Sequence, residues 1–249
     1  MPVRDIAIVV PAYNEAQRIG PSLTKILAFL PAQFASSEVI LVDDGSSDGT
    51  ADLVAQEFGD RVRVLRQPMR RGKGSAVRAG VLAAEKPWIL FVDADLSIPI
   101  DEVLTLCAQA DRAPIVIGSK RAPGSRIEYP KLRRFLGGIG HTLISLFVVR
   151  GFHDTQCGIK LYRRDAGREL FAASRIDGFG FDFEVLFLAR RLGHAVVEVP
   201  IRCEHKIGGT VRFSTYLSVL GEIARLRWNL LCGRYPRRGA TAERVRAEG

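Results

Sequence analysis

Trp88-Ile89-Leu90-Phe91-Val92-Asp93-Ala94-Asp95 is an apolar run that ends in two carboxylates one residue apart. Five consecutive apolar residues suit a strand buried on both faces, and the acids stand where that strand gives way to a loop. Such strand ends are where an open α/β sheet carries its chemistry. On one strand end, side chains at i and i+2 point the same way, so Asp93 and Asp95 can face one hard cation such as Mg²⁺ or Mn²⁺. A diphosphate could complete the coordination. The competing reading is an Asp-rich turn that caps the next helix, and the remainder of the chain has to decide between them.

Four more short apolar runs, at residues 6–10, 39–42, 62–65 and 115–117, are rich in β-branched side chains and predict further buried strands. Helix-length segments separate the first four strands. Leu23, Ile26, Leu27 and Leu30 recur at helical spacing in one of them, and Leu53, Val54 and Phe58 in the next. This alternation predicts an α/β fold, with a mostly parallel central sheet flanked by helices. No internal repeat or low-complexity segment is visible. Past Gly118 the alternation breaks into a basic loop, a long apolar helix, a Gly-rich segment and a final amphipathic helix, so the first half reads as scaffold and the second as specialisation.

A chain of 249 residues buries an ample core without disulfide staples. Cys107, Cys157, Cys203 and Cys232 are far apart and match neither a zinc site nor a disulfide framework, which suits a reduced cytosol. The opening Met1-Pro2-Val3-Arg4-Asp5 lacks the pattern of a signal peptide, so no export is expected. The net charge of +9 is local: residues 120–150 hold seven basic side chains against one acidic, and residues 202–249 ten against four. Nucleic acid, anionic lipid and a phosphorylated substrate would each suit such patches. The basic stretches lack the interleaved aromatics of a single-strand platform, and no nucleic-acid-binding motif is present, which argues against a basic nucleic-acid-binding module.

Residues 135–149 are the most hydrophobic stretch, but they include Gly137, Gly138, Gly140, His141, Thr142 and Ser145. They also fall short of the ~20 residues a spanning helix needs. A core helix is one reading. Lys131, Arg133 and Arg134 before it and Arg150 after it give the other, a helix lying in a lipid interface. A last helix, over residues 215–231, carries Leu217, Leu220, Ile223, Leu226, Leu230 and Leu231 with Arg225 and Arg227 between them. It reads as core packing or surface docking.

Each of the first four strands ends in a polar cluster, and parallel strands bring these clusters to one edge. Pro11-Ala12-Tyr13-Asn14-Glu15 offers a flat ring and an acid, suited to a base and a ribose diol. In Asp43-Asp44-Gly45-Ser46-Ser47-Asp48-Gly49-Thr50, Ser47 and Asp48 are placed to cap the next helix. Asp44 sits too early to cap and is free to accept from a pyrimidine N–H. Arg70-Arg71-Gly72-Lys73-Gly74-Ser75 joins flexible backbone to cations before a helix N-terminus, an arrangement that favours anions. It is not a Walker motif, and no G-x-G-x-x-G follows the first strand.

The order of these clusters closely resembles the family 2 glycosyltransferases of GT-A fold. Gly118-Ser-Lys-Arg121, Asp154-Thr-Gln-Cys-Gly-Ile-Lys160 and Gly180-Phe-Asp-Phe-Glu184 extend the resemblance toward the dolichyl-phosphate glucose synthase and polyprenyl-phosphate glycosyltransferase branch, over roughly residues 5–228. It implies a GT-A domain over residues 1–212, an amphipathic helix over 213–235 packed on the domain or at the membrane surface, and a basic flexible tail over 236–249.

For the site, the resemblance implies a nucleotide-sugar donor held by Pro11, Ala12, Tyr13, Glu15, Asp44, Lys73, Ala94, Gln156 and Arg212. Asp93 and Asp95 become the metal motif for Mg²⁺ or Mn²⁺, with Asp95 binding directly and Asp93 through water or the ribose. Asp182 and Glu184 join them as catalytic candidates beside the sugar, where the competing reading is acids complementing a helix start. Lys120, Arg121, Arg133 and Arg134 stand where related enzymes hold the acceptor phosphate. Lys120 departs from the family pattern, commonly Arg, and so has a reduced bidentate grip. UDP-glucose is the first donor implied, with GlcNAc and GalNAc behind it and mannose last. The acceptor implied is polyprenyl phosphate, with a soluble acceptor as the alternative. A peripheral enzyme at the cytoplasmic face of a membrane is expected, with a homo-oligomer compatible.

Overall fold

The computed structural model describes residues 3–127, 148–204 and 213–237, with side chains throughout these except at 213–217. In chain order they form β1 (Asp5–Ala12), α1 (Ile19–Gln33), β2 (Ser36–Asp43), α2 (Thr50–Phe58), β3 (Arg63–Arg66), α3 (Lys73–Ala83), β4 (Trp88–Val92), α4 (Glu102–Cys107) and β5 (Ile115–Ser119). Then come β6 (Arg126–Ile127), β7 (Ile159–Arg163), α5 (Arg164–Ala173), α6 (Phe181–Leu192), β8 (Val196–Pro200), β9 (Arg202–Cys203) and α7 (Phe213–Leu231). Among these residues no helix is long and apolar enough to cross a membrane. Most of the 135–149 stretch lies outside them.

Seven strands make one sheet in the order β3-β2-β1-β4-β7-β5-β8. Its neighbours run parallel except β7, which lies antiparallel between β4 and β5. The parallel strands therefore all end at one edge, and β7 begins there, with Ile159 opposite Val92. That register brings the segment before Ile159 to the loop that carries Asp93.

Side chains alternate between two cores, as strands covered on both faces require. Ile6, Ile8 and Val10 pack with Leu23, Ile26 and Leu30 of α1. Ala7 and Val9 pack on the other face with Val77 and Val81 of α3, and with Leu186 of α6 and Leu226 of α7. α7 is thus packed on the domain. β3 corrects the expectation of burial on both faces: it is the sheet's edge strand, and Arg63 and Arg66 are exposed.

The second half is also corrected. It does not abandon the α/β pattern, since β7 and β8 complete the sheet and α5 and α6 cover it. Lys160, the second residue of β7, disguises that strand, because a charged residue interrupts the apolar run Ile159 to Tyr162.

Candidate active site

The loops after β1 and β2 are joined by side chains. The Asn14 amide donates to Ser46 Oγ, and Asn14 Oδ1 accepts from the Ser47 amide, both at 2.9 Å. The Glu15 amide donates to Thr50 Oγ1 (2.9 Å) and the Ala16 amide to Asp48 Oδ2 (3.0 Å). Asp48 Oδ1 accepts from the Thr50 amide (3.0 Å). Neither Ser47 nor Asp48 is the N-cap of α2; that position is Gly49, at φ 83°, and Asp48 instead bridges two loops. These bonds set the shape of the edge on which Tyr13 and Glu15 stand.

Glu15 is held by Arg18 through two hydrogen bonds of 2.9 Å. Burial raises its pKa above the usual carboxylate value; Arg18 opposes the rise, and the charges of Asp95 and Asp48 add to it. Glu15 and Asp95 therefore share one electrostatic neighbourhood although they follow different strands. Pro11, Ala12 and Ala94 are buried beside them. The Arg70 guanidinium lies 4.3 Å from the centroid of the Tyr13 ring, a cation–π contact between the first and third loops.

Asp44, assigned from the sequence to a nucleobase, has a structural task. It is buried, and its carboxylate accepts from the amides of Arg71 (2.8 Å) and Gly72 (2.8 and 3.1 Å). That brace holds the basic loop where Gly72, at φ 120°, becomes the N-cap of α3. Lys73 then opens the helix, at the end whose free amides favour anions.

Lys73 Nζ meets Asp93 Oδ1 at 2.7 Å, and both side chains remain partly exposed. A second pair lies near the first. Lys160 Nζ bonds Asp182 Oδ1 and donates to the Cys157 carbonyl (2.7 Å), with Lys160 at 0 % and Asp182 at 4 % exposure. The two ammonium groups stand 5.2 and 5.8 Å from the centroid of the same Phe91 ring. Burial alone would lower the Lys73 pKa, but Asp93 and then Asp182 outweigh it and hold the pKa above the usual lysine value. Asp182 moves the other way: burial raises its pKa, and Lys160 and Lys73 oppose the rise without cancelling it.

Gly158 makes room for Asp93. A Cβ there would stand 2.1 Å from Asp93 Oδ2, and the Gly158 carbonyl accepts from the Asp93 amide at 3.2 Å. Asp95 Oδ1 accepts from the Ser97 amide (2.9 Å), across Leu96 at φ 45°. A left-handed leucine costs of order 1–3 kcal/mol, and burial of its side chain in the first core holds it in place.

Asp154 supports the far side of the site. Its Oδ2 accepts from the Lys120 amide (3.1 Å) and lies 3.8 Å from Lys120 Nζ, and its Oδ1 accepts from the Gln156 amide (3.1 Å). Glu198 holds the Asp154 amide at 2.7 Å. The Lys120 charge acts on Lys73, so these two cations belong to one neighbourhood. Arg121 follows at an exposed position. Cys157 is fully buried, and burial pushes its thiol up to about 12, which keeps it protonated near neutrality.

Glu184 is not brought to this edge. It is fully buried and accepts from the amides of Arg175 and Ile176, each at 2.9 Å, and from the Tyr235 hydroxyl. On a helix, residues two apart diverge by about 200°, so Asp182 turns toward the sheet edge and Glu184 toward the end of the chain. Arg133, Arg134 and Arg212 lie outside the described residues. Sequence reasoning gave no role to Lys160; a lone lysine inside the run Cys157-Gly-Ile-Lys-Leu-Tyr162 was its one signal.

Asp93 and Asp95 offer hard oxygen donors suited to a divalent cation. Among the described residues no three His, Cys, Asp or Glu side chains gather into a metal cage, and a diphosphate can supply further oxygen ligands. Asp93 is paired with Lys73, and the charge of Asp95 acts on Glu15.

A family model described as glycosyl transferase family 2 matches residues 7–171. A dolichyl-phosphate beta-glucosyltransferase of Trichomonas vaginalis is 37 % identical over 227 residues, covering 83 % of this chain and 67 % of that protein. Those of Drosophila melanogaster and Saccharomyces cerevisiae are 37 % and 32 % identical, covering 81 % and 82 % of this chain and 67 % and 68 % of theirs. Among solved structures, mannosyl-3-phosphoglycerate synthase from Rubrobacter xylanophilus superposes with a TM-score of 0.70 at 18 % identity, covering 94 % of this chain and 76 % of the other. Glucosyl-3-phosphoglycerate synthase from Mycobacterium tuberculosis in complex with UDP gives 0.67 at 18 %, covering 90 % and 80 %. The sheet order, its single reversed strand and these neighbours bear out the expected GT-A arrangement. Strand-end residues, fold and sequence kinship agree, and the chain belongs to glycosyl transferase family 2.

Proposed function

We infer that this glycosyltransferase moves glucose from UDP-glucose to a dolichyl-type polyprenyl phosphate, with inversion, giving a β-linked lipid phosphosugar and UDP. The observation that carries the reading is the meeting at one sheet edge of two carboxylates, Asp93 and Asp95, with two ammonium groups, Lys73 and Lys120. The names of the relatives choose the sugar and the acceptor. In this reading Pro11, Ala12, Tyr13, Glu15 and Asp44 shape the nucleoside pocket, Gln156 and Arg212 border the sugar, and Lys73 meets the diphosphate. Asp95 would hold Mg²⁺ or Mn²⁺ directly, with Asp93, already paired with Lys73, acting through water or the ribose. A cation bound there would supply charge neutralisation to the departing diphosphate.

A phosphate monoester with a second pKa near ~6 is already anionic at neutral pH and needs positioning rather than a general base. The arrangement of acids supports such an acceptor, since Asp182 is paired with the buried Lys160 and Glu184 is spent on two amides and a hydroxyl. Lys120, Arg121, Arg133 and Arg134 hold the acceptor phosphate. One of its oxygens attacks C1 from the face opposite UDP; the new C1–O bond forms as the bond to UDP breaks. Because the acceptor is a lipid, the protein works at a membrane surface, at the cytoplasmic face.

A panel of nucleotide sugars with a short polyprenyl phosphate and Mn²⁺ or Mg²⁺ tests this. A lipid-linked product that is largest with UDP-glucose is expected. Transfer only to a soluble phosphorylated acceptor would overturn the acceptor, and a larger product with UDP-GlcNAc, UDP-GalNAc or GDP-mannose would overturn the sugar.

A further inference from the structure

α7 is bound to the domain along one side. Ile223, Leu226 and Asn229 are buried there, and Glu222 Oε2 accepts from the Gly180 amide at 2.8 Å. Beyond the helix the chain is tied back: Arg175 Nε donates to the Arg234 carbonyl (3.0 Å), Arg191 Nε to the Pro236 carbonyl (2.7 Å), and the Tyr235 hydroxyl to Glu184. The helix is clamped, and its opposite side is presented in a fixed orientation.

That side carries Leu220, Ala224, Trp228 and Leu231, whose spacing places them on one stripe. Leu220, Trp228 and Leu231 are 45, 61 and 82 % exposed. Arg225, Arg227, Arg234 and Arg237 are exposed around them. The one acid in residues 218–237 is Glu222, which is committed to Gly180.

We propose that this stripe docks on an anionic lipid bilayer. Large apolar side chains on a clamped helix gain by leaving water, and a tryptophan settles at headgroup depth, where its ring is apolar and its N–H stays hydrated. Guanidinium groups on the flanks complement anionic headgroups. Charge decides against a second copy of the chain as the occupant. Face-to-face pairing of this stripe would crowd arginine against arginine with no uncommitted acid in the segment to separate them.

The inference deepens the lipid-acceptor reading and rests on it for its purpose, while its test is independent of transfer. The test is flotation of the full chain with vesicles of equimolar phosphatidylcholine and phosphatidylglycerol, compared with vesicles of phosphatidylcholine alone. The chain is expected to float with the anionic vesicles. Leu220→Ser/Trp228→Ser, and separately Arg225→Glu/Arg227→Glu, should weaken that partition about tenfold or more. Both variants should keep the parent's circular dichroism spectrum, melting temperature and transfer to a short, water-soluble polyprenyl phosphate. A parent that floats but transfers nothing would count against the lipid acceptor and leave the docking face standing. Equal flotation of parent and variants, or no flotation of the parent, overturns the docking proposal. So does a dimer in sedimentation equilibrium that Trp228→Ser makes monomeric while flotation is unchanged.

Discussion

Two segments of this chain carry acids at the same spacing and use them in opposite ways. Asp93-Ala94-Asp95 leaves the end of β4, whereas Asp182-Phe183-Glu184 lies in the first turn of α6. On the loop, Asp93 pairs with the partly exposed Lys73, and the charge of Asp95 acts on Glu15. On the helix, Asp182 is sealed against Lys160 and Glu184 is bonded to Arg175, Ile176 and Tyr235. Backbone conformation, rather than residue type or spacing, sets two acids at one loop edge in the first segment and sends them to separate buried partners in the second.

The buried pair offers the strongest way to break this comparison. Lys160→Met or Asp182→Ala strands a charge in a site that is almost fully buried, and should cost about 3–5 kcal/mol in urea unfolding. Lys160→Met/Asp182→Leu should recover most of that stability, because the ion pair is replaced by apolar volume. Transfer by the double variant should remain down by roughly 10–100-fold, the usual effect of losing an outer partner of a site group. If the double variant transferred at the parent rate, Asp182 would be scaffold alone.

On the loop the effect should fall on rate and spare stability. Asp95→Asn is expected to lower kcat/KM at least about 100-fold, or about 3 kcal/mol, with a melting temperature close to the parent's. A variant that kept full transfer would remove the metal role. Gly158→Ala tests the space around Asp93: its Cβ would stand 2.1 Å from Asp93 Oδ2, so the carboxylate must move. A displacement of that kind should lower kcat about tenfold or more, while the overpacking costs about 1–3 kcal/mol of stability.

The smallest effect concerns pH. Burial raises the Glu222 pKa from its ordinary 4.5, Glu184 adds to the rise, and the Gly180 amide and Arg225 oppose it. For an acid raised in the folded state, the associated stability is fully present below the unfolded pKa and is lost as pH rises through the folded one. Glu222→Gln removes that loss. Urea midpoints should therefore favour the variant more at neutral pH than at pH values below 4.5, and an unchanged difference would exclude the linkage.

The first half of the fold was legible because β1, β2, β4 and β5 contain uninterrupted apolar runs, and the edge shared by the polar clusters that follow the first four strands came from parallel geometry alone. β7 was hidden by Lys160, since a buried lysine makes sense only when its partner, Asp182, is brought from a distant helix. The same limit applied to the site. The positions of Asp44, Asp48 and Glu184 were readable, but each accepts from backbone amides elsewhere in the chain, and sequence spacing carries no trace of those bonds. The place of Asp93 and Asp95 at a strand end was legible because the end of an apolar run is a local signal, whereas the partners of Asp93, Lys73 and Gly158, come from elsewhere in the chain.

The reversed strand has a consequence for the order in which the molecule takes shape. β4 and β5 do not pair with each other; each waits for β7, which comes after both of them in the chain. While the nascent chain is shorter than residue 163, β4 therefore has an open edge toward β5, the kind of surface that invites pairing with other chains. Gly158, whose carbonyl receives the Asp93 amide, arrives on the same segment. Closing the sheet and finishing the active-site loop are one late event, so a nascent chain arrested before β7 exposes its aggregation-prone edge and its incomplete site together.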